Sequence, residues 1–222
     1  MQAGFAMLCA GSVRLKNVQN SMLKNLLDAC GAAIGFWTFG YSFAYSPANF
    51  SLDNSLPSQS FIGRHYFLLT GLDVSEYPFW LFQFAFAATS ATIVAGTLAE
   101  RCQMIAYLFY SLVLTGFVYP VVVRAIWSEY GILNRATGSV FGPGSDIGMI
   151  DFAGSGVVHV TGGATALLAT WFLGARKGRF YDLRGREIED PKPFPAHSAA
   201  LQVIFICLFA CITLSFVSGG FS

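Results

Sequence analysis

Four stretches of the sequence, each 22 to 24 residues long, contain no Asp, Glu, Lys or Arg. A helix needs about 20 mostly apolar residues to cross a bilayer, so each stretch is long enough to be a span. Only 11% of the chain is charged, against about 25% in soluble domains, and the charges cluster between the stretches. We therefore expect an all-α, polytopic helical membrane protein. The four predicted spans are residues 29–52, 77–99, 102–123 and 152–175.

The basic residues are divided unequally between the two sides of these spans. One side carries ten Lys and Arg residues, and the other carries only Arg64, Arg124 and Arg135. Because positive charge is kept in cytoplasmic loops, the ten-residue side is predicted to be cytoplasmic, and the start of the 152–175 span is predicted to face outward. The ten residues are Arg14, Lys16, Lys24, Arg101, Arg176, Lys177, Arg179, Arg184, Arg186 and Lys192.

The composition excludes several classes of function. The formal net charge is only +1, so nothing indicates a nucleic-acid partner or an acidic substrate. The five cysteines form neither a CxxC motif nor a zinc-like spacing with histidine, and we predict no metal site and no cofactor. The sequence has no GxGxxG, P-loop, nucleophile elbow or HExxH motif, so an enzyme is not expected.

The segment 151–163, DFAGSGVVHVTGG, is the most distinctive part of any span. Asp151 stands at its boundary, in a good N-cap position for a helix that continues to residue 175. His159 follows eight residues later, which places the imidazole about 12 Å deeper along the helix axis. Small residues lie on or near the face of the histidine, so little side-chain bulk surrounds it. They are Ser155, Gly156, Gly162 and Gly163.

Two interpretations of this segment remain open from the residues alone. Small residues on a membrane helix usually permit close packing of another helix, and a single histidine can simply hydrogen-bond to that neighbour. Ionisable groups at membrane depth are nevertheless costly and tend to mark the routes of ions or protons. His159 is therefore a candidate pore residue, with a purely structural role as the alternative.

A group of aromatic side chains is predicted near the outer membrane surface. Phe79, Phe82 and Phe86 share one face of the 77–99 helix, and Trp127 lies where its own helix meets the same membrane surface. Such rings can hold a cation, at about 0.5–2 kcal/mol per contact. Aromatic residues also line both membrane interfaces and form ordinary packing stripes, and for each ring taken separately that explanation is favoured.

Several motifs together resemble the ammonium transporter/methylammonium permease/Rhesus family. DFAGSGVVH is similar to a motif of the family, and three further segments look like plant-type high-affinity ammonium transporters: AGSVRLKNVQNSMLKNLLD, ATIVAGTLAER and PKPFPAHSAALQV. The resemblance extends over residues 1–203, which we interpret as a partial transporter domain that begins within the family's first span. Residues 204–222 are interpreted as a divergent apolar tail.

The resemblance implies a fold, a function and partners. The family fold is an inverted repeat of two five-helix halves, of which this chain would be the first half, with a pore between the halves. The implied activity is transport of ammonium or ammonia through a hydrophobic pore lined by histidine, with an aromatic outer vestibule. The implied setting is the plasma membrane, where the chain would contact lipid and form a homo- or hetero-trimer with family members, without nucleic acid or a cofactor.

The resemblance also implies residue roles. Trp127 and Phe86 look like the vestibule aromatics that bind the substrate, with Phe82 as their neighbour and Phe86 also one of two gating phenylalanines. His159 looks like the first pore histidine, and Asp151 like an acid that holds the vestibule and favours a cation without touching it. The family's second histidine and second half are not recognisable in this sequence. The alternative hypothesis is therefore a non-conducting fragment that only packs with full-length relatives.

Overall fold

The computed structural model describes residues 1–47, 59–135, 147–182, 184–191 and 193–205. Within these ranges the regular structure is helical apart from two isolated β-bridges, which confirms the all-α prediction. Residues 199–205 are also helical. The helices are α1 (Gln2–Ser12), α2 (Val18–Gly35), α3 (Tyr41–Tyr45), α4 (Tyr77–Leu98), α5 (Met104–Val113), α6 (Tyr119–Ile126) and α7 (Thr161–Leu173).

Wide π-helical turns join some of these helices into longer ones. Phe36–Gly40 connects α2 to α3, Leu114–Val118 connects α5 to α6, and Ser155–Val160 precedes α7. Three of the helices in the described ranges are then long and apolar enough to cross a membrane. They are Val74–Leu98, Met104–Ile126 and Ser155–Leu173.

The first predicted span, 29–52, differs from the structure. The helix begins at Val18, eleven residues earlier, and therefore carries Lys24 and Asp28 in its first half. It ends at Tyr45 because Ser46, which precedes Pro47, is extended with φ −74° and ψ 154°. Tyr, Trp, Thr and Ser residues lower the apolarity of its second half, so it does not count among the three membrane-length helices.

Parts of several predicted segments lie outside the described residues. These are residues 48–58 of the first span and of the polar loop after it, residues 136–146 of the FGPGSD loop, and residues 206–222 of the apolar tail.

The chain forms two compact units. The first contains Met1–Ala29, Thr92–Leu108 and Gly163–Ser222, and the second contains Cys30–Ala91 and Phe109–Gly162. In the first unit, the carboxylate of Glu100, only 1% exposed, accepts hydrogen bonds from Arg14 Nε at 3.0 Å and from Asn17 Nδ2 at 2.5 Å. It also pairs with Arg176 Nη1 at 3.2 Å. One buried acid thus joins three segments that are distant in the sequence.

The second unit is held by a close crossing of two helices. A Cβ atom on Gly35 would lie 2.6 Å from Thr115 Oγ1 and 2.9 Å from the carbonyl oxygen of Leu112. Only glycine lets the two backbones approach this closely, as is common between membrane helices. The side chain of Phe36 is fully buried beside this crossing and meets the buried ring of Tyr119 with centroids 6.5 Å apart.

Candidate functional site

The carboxylate of Asp151 satisfies the backbone N–H groups at the beginning of the membrane-length helix Ser155–Leu173. Oδ1 accepts from the N–H groups of Gly154 and Ser155, both at 2.8 Å, and from Ser155 Oγ at 3.2 Å. Oδ2 accepts from the N–H groups of Gly156 at 2.9 Å and Val157 at 2.7 Å. A single side chain therefore binds four donors that a helix N-terminus would otherwise leave unsatisfied.

The prediction that Asp151 is itself the N-cap residue was wrong in its register. The helix begins at Ser155, and the N-cap residue is Gly154, whose backbone is left-handed with φ +87°. The short turn 152–154 folds the aspartate back under the helix, so that its carboxylate reaches the first turn from three residues before the cap. A Cβ on Gly154 would also lie 2.6 Å from Val158 Cγ2, which favours glycine at this turn.

The electrostatics of Asp151 follow from these bonds. Burial opposes ionisation, but the hydrogen bonds from Val157 N–H, Gly154 N–H and Ser155 outweigh it, so the pKa of Asp151 lies below its ordinary value. The residue is 8% exposed. It is therefore a buried carboxylate that remains ionised at neutral pH, next to the positive end of a helix dipole.

Trp127 is tied directly to this acidic turn. Its indole Nε1 donates to the carbonyl oxygen of Asp151 at 2.6 Å. The indole ring meets the ring of Phe86 with centroids 5.5 Å apart and planes at 71°, and Phe86 in turn meets Phe82 at 5.1 Å and 80°. These three edge-to-face rings, Phe82, Phe86 and Trp127, form an aromatic cluster that the structure brings together from α4 and the end of α6.

Phe79 does not belong to the aromatic cluster, although its spacing places it on the same helix face. Its ring packs edge-on against Tyr45 at 5.1 Å and against Tyr41 at 6.5 Å. The sequence spacing could not separate these rings, because the partner helix that receives Phe79 comes from another part of the chain.

An acidic cavity borders Trp127 in the second unit. Its volume is about 530 Å³, and its lining includes the carboxylates of Asp73, Glu76 and Glu129. Tyrosine side chains supply much of the remaining wall. Clefts lined by one sign of charge concentrate the opposite ion, so this cavity favours cations beside the indole. Sequence reasoning missed these acids; the available signal was their position immediately before α4 and immediately after α6.

His159 lies in the first wide turn of its helix. The N–H groups of Val158 and His159 both donate to the carbonyl oxygen of Gly154, at 2.9 and 3.0 Å, and His159 Nδ1 lies 3.1 Å from the same oxygen. A carbonyl oxygen can only accept, so this contact requires Nδ1 to donate, and in a neutral imidazole Nε2 is then the acceptor. The imidazole is exposed at the surface of the described chain, as is its neighbour Val160, at 65%.

The helix that carries His159 is only partly covered by the described residues. A Cβ on Gly163 would meet no atom within 4 Å, whereas one on Gly156 would lie 3.2 Å from Met149 Cε. Of the four small residues, Gly163 therefore faces open space. Large apolar side chains further along the helix are also exposed, such as Leu167 at 71% and Phe172 at 84%.

Arg124 is buried, although the distribution of basic residues in the sequence predicted only that it lies on the outer side. Its guanidinium is fully buried and donates to the carbonyl oxygens of Ser46 at 2.5 Å and Ala44 at 3.2 Å. Its Cζ lies 4.6 Å from the centroid of the Tyr130 ring. Arg124 thus fixes the end of α3 to α6, three residues before Trp127.

No metal site is indicated either: within the described ranges no three His, Cys, Asp or Glu side chains are grouped to hold a metal ion.

Comparisons with known proteins agree with the sequence resemblance. A family model described as Ammonium Transporter Family matches residues 1–222. Ammonium transporter 1 member 3 of Solanum lycopersicum is 43% identical over 225 aligned residues, which cover 100% of this chain and 45% of the relative. Ammonium transporter 1 member 2 of Oryza sativa subsp. japonica is 48% identical over 202 residues, which cover 89% of this chain and 37% of the relative.

A solved structure described as a Sensor Amt Protein is also similar. It matches with a TM-score of 0.70 and 26% sequence identity, over 92% of this chain and 47% of the other. This match confirms the predicted fold class. The chain spans less than half the length of these relatives. The boundary between a partial transporter domain, residues 1–203, and a divergent apolar tail, residues 204–222, stays a prediction.

Proposed function

We propose that this chain, which belongs to the Ammonium Transporter Family, contributes to the movement of ammonium or ammonia across a membrane. It is an integral membrane protein, and its relatives are named ammonium transporters. Membership in a family of transporters confirms the prediction that it is not an enzyme. Because the chain spans about 45% or less of those two relatives, transport is proposed for a pore completed by further helices.

The observation that carries the proposal is the linkage of the aromatic cluster to the buried carboxylate. Trp127 donates to the carbonyl oxygen of Asp151, and the Asp151 side chain holds the turn that leads into the helix of His159. The aromatic cluster, proposed to attract a cation, and His159, proposed to accept its proton, are thus linked through the hydrogen bonds of Asp151. A substitution at one of these residues is therefore expected to disturb the others.

In the proposed mechanism the outer residues collect the cation. The faces of the Trp127, Phe86 and Phe82 rings attract ammonium through their negative quadrupoles, and the carboxylates beside Trp127 raise the local cation concentration. Asp151 adds negative potential, but its oxygens are occupied by backbone N–H groups. We therefore propose that Asp151 favours the cation without binding it. From the family resemblance we also propose that Phe86 gates the pore.

His159 provides the proposed selectivity beyond the aromatic cluster. Ammonium and potassium are similar in size, but only ammonium can donate hydrogen bonds and lose a proton. With Nδ1 bonded to the Gly154 carbonyl, Nε2 offers an acceptor to ammonia or to ammonium. A dry pore strongly disfavours any ion, so deprotonation before passage reduces the cost of crossing.

We also propose partners for this chain, namely further helices that complete the pore and other members of the family. The exposure of His159 and the open space at Gly163 favour a pore wall supplied by further helices, as in an inverted repeat of two halves. Association as a homo- or hetero-trimer with family members and a plasma-membrane location follow from the resemblance. The same exposure favours a second candidate function, in which the chain by itself does not conduct and only packs with complete relatives.

The test compares two forms of the protein in cells that lack ammonium uptake. One form is the 222-residue chain, and the other is a fusion of this chain to the remaining part of the tomato relative. We expect saturable methylammonium uptake from the fusion and none from the chain alone, at equal membrane abundance. A folded fusion that shows no uptake would contradict the transport proposal. Saturable uptake by the chain alone would contradict the need for further helices.

A further inference from the structure

A basic cavity in the first unit has no role in the transport mechanism. It lies beside the turn between α4 and α5, and its volume is about 390 Å³. Four of its lining residues are cationic, Arg14, Lys16, Lys24 and Lys177, and Asn17 adds an amide. A pocket of this size is large enough for a small ligand or a headgroup.

The one carboxylate in the lining is already neutralised. Glu100 pairs with Arg14 at 3.0 Å and with Arg176 at 3.2 Å. Among the described residues no acidic side chain lies within ion-pair distance of Lys16, Lys24 or Lys177. Among the described residues, the cavity therefore keeps an excess of positive charge.

Lys24 is the most informative of these residues because it is buried. The residue is 5% exposed, and its Nζ donates to the carbonyl oxygen of Cys102 at 2.6 Å. The face of the Tyr107 ring lies 5.8 Å from the same nitrogen. An ammonium group has three N–H donors, so one carbonyl leaves part of its hydrogen-bonding capacity unused. A buried charge of this kind is costly without a counter-ion.

We propose that this cavity binds a phosphate-bearing anion. Ammonium groups and amides supply donors that match phosphate oxygens, and charge-assisted hydrogen bonds to such oxygens are among the strongest in proteins. Basic pockets between membrane helices on the cytoplasmic side are suited to phosphorylated lipid headgroups, and the ten-residue basic side is the predicted cytoplasmic one. The same chemistry would accept a soluble inositol phosphate or inorganic phosphate.

Binding is measured on the purified 222-residue chain in lipid nanodiscs. The lipid arm compares nanodiscs of phosphatidylcholine with nanodiscs that also contain phosphatidylinositol 4,5-bisphosphate, by native mass spectrometry. The soluble arm titrates inositol 1,4,5-trisphosphate and, separately, inorganic phosphate against phosphatidylcholine nanodiscs. Retention in the lipid arm alone identifies a headgroup site, and binding in the soluble arm identifies a site for free phosphate compounds; either result supports the proposal.

The variants separate this cavity from the general charge of the surface. Lys177→Gln and Lys24→Met each remove one ammonium group, and we expect about tenfold weaker binding from each. Arg184→Gln is the matched control: it removes the same charge from the same predicted side, but Arg184 does not line the cavity. Because Lys177 is exposed, its variant remains informative if Lys24→Met does not fold. Absence of binding in both arms, or equal losses from Arg184→Gln and Lys177→Gln, would overturn the proposal.

Discussion

The indole Nε1 of Trp127 donates a 2.6 Å hydrogen bond to the carbonyl oxygen of Asp151, 24 residues further along the chain. This bond joins the end of α6 to the turn before the membrane-length helix Ser155–Leu173. The same turn is closed by the Asp151 side chain, which binds the N–H groups of four successive residues. Changes at either residue are therefore expected to be transmitted to the other.

Asp151→Ala removes the acceptor for the first turn of the His159 helix. Four backbone donors lose their partner, so we expect about 1–3 kcal/mol lower stability and loss of uptake in the fusion with the tomato relative. Asp151→Glu keeps the charge and an acceptor, and its effect is expected to be milder. Thermal unfolding and methylammonium uptake measure the two effects. Normal uptake by folded Asp151→Ala protein would contradict the assigned role.

The low pKa of Asp151 also predicts a pH dependence of stability. Its folded-state pKa is depressed, so its contribution is fully present above the unfolded-state value of about 4 and is lost as pH falls towards the folded-state pKa. The fusion should therefore lose stability in acid more steeply than its Asp151→Ala variant. Unfolding of both proteins at a series of pH values checks this difference; parallel curves below pH 4 would contradict it.

Trp127→Leu removes the ring that the proposed vestibule offers to the cation. Loss of about 1 kcal/mol of cation–π attraction corresponds to a roughly fivefold higher half-saturation concentration for methylammonium. Trp127→Phe keeps a ring face but removes the donor to Asp151, so its half-saturation should rise less while its thermal stability falls. Unchanged half-saturation in Trp127→Leu would instead favour a plain interfacial anchor.

Glu100→Gln should destabilise the first unit more than the removal of one exposed charge does. The change leaves the guanidinium groups of Arg14 and Arg176 without their buried partner, and we expect a cost of about 2–3 kcal/mol. Arg186→Gln is the control, because Arg186 and Asp182 are exposed and 4.0 Å apart, and such pairs contribute about 0.5 kcal/mol or less. Similar unfolding temperatures for the two variants would show that the Glu100 pairs contribute little.

Gly35→Ala and Gly163→Ala should distinguish helix packing seen among the described residues from the packing of the proposed further helices. The added methyl at Gly35 would lie 2.6 Å from Thr115 Oγ1, and we expect about 1–3 kcal/mol lower stability. At Gly163 no atom of the described residues lies within 4 Å of the added methyl group, so the isolated chain should tolerate alanine. In the fusion, Gly163→Ala should reduce uptake if another helix packs there. Equal tolerance in both proteins would argue against such a partner.

Local composition determined most of what could be predicted about the fold. A span requires only length and the absence of charge, and three of the four predicted spans became helices of membrane length. The fourth, 29–52, is described only as far as residue 47; its helix begins at Val18 in a charged segment, has a less apolar aromatic half and is not among the three. The acid before the helix Ser155–Leu173 was also recognised, because a carboxylate near a helix N-terminus is stabilised by the helix dipole.

Tertiary structure decided which of the recognised residues act together. Phe79 and Phe82 lie on the same helix face, yet one packs on Tyr45 while the other joins Phe86 and Trp127. Arg124 was counted only as a loop charge and Glu100 was assigned no role, but each side chain is buried and joins segments far apart in the sequence. Such contacts depend on chain reversals and on the exact path of the backbone, such as the left-handed turn at Gly154. Periodicity describes one helix at a time and contains no information about the neighbour that each side chain will meet.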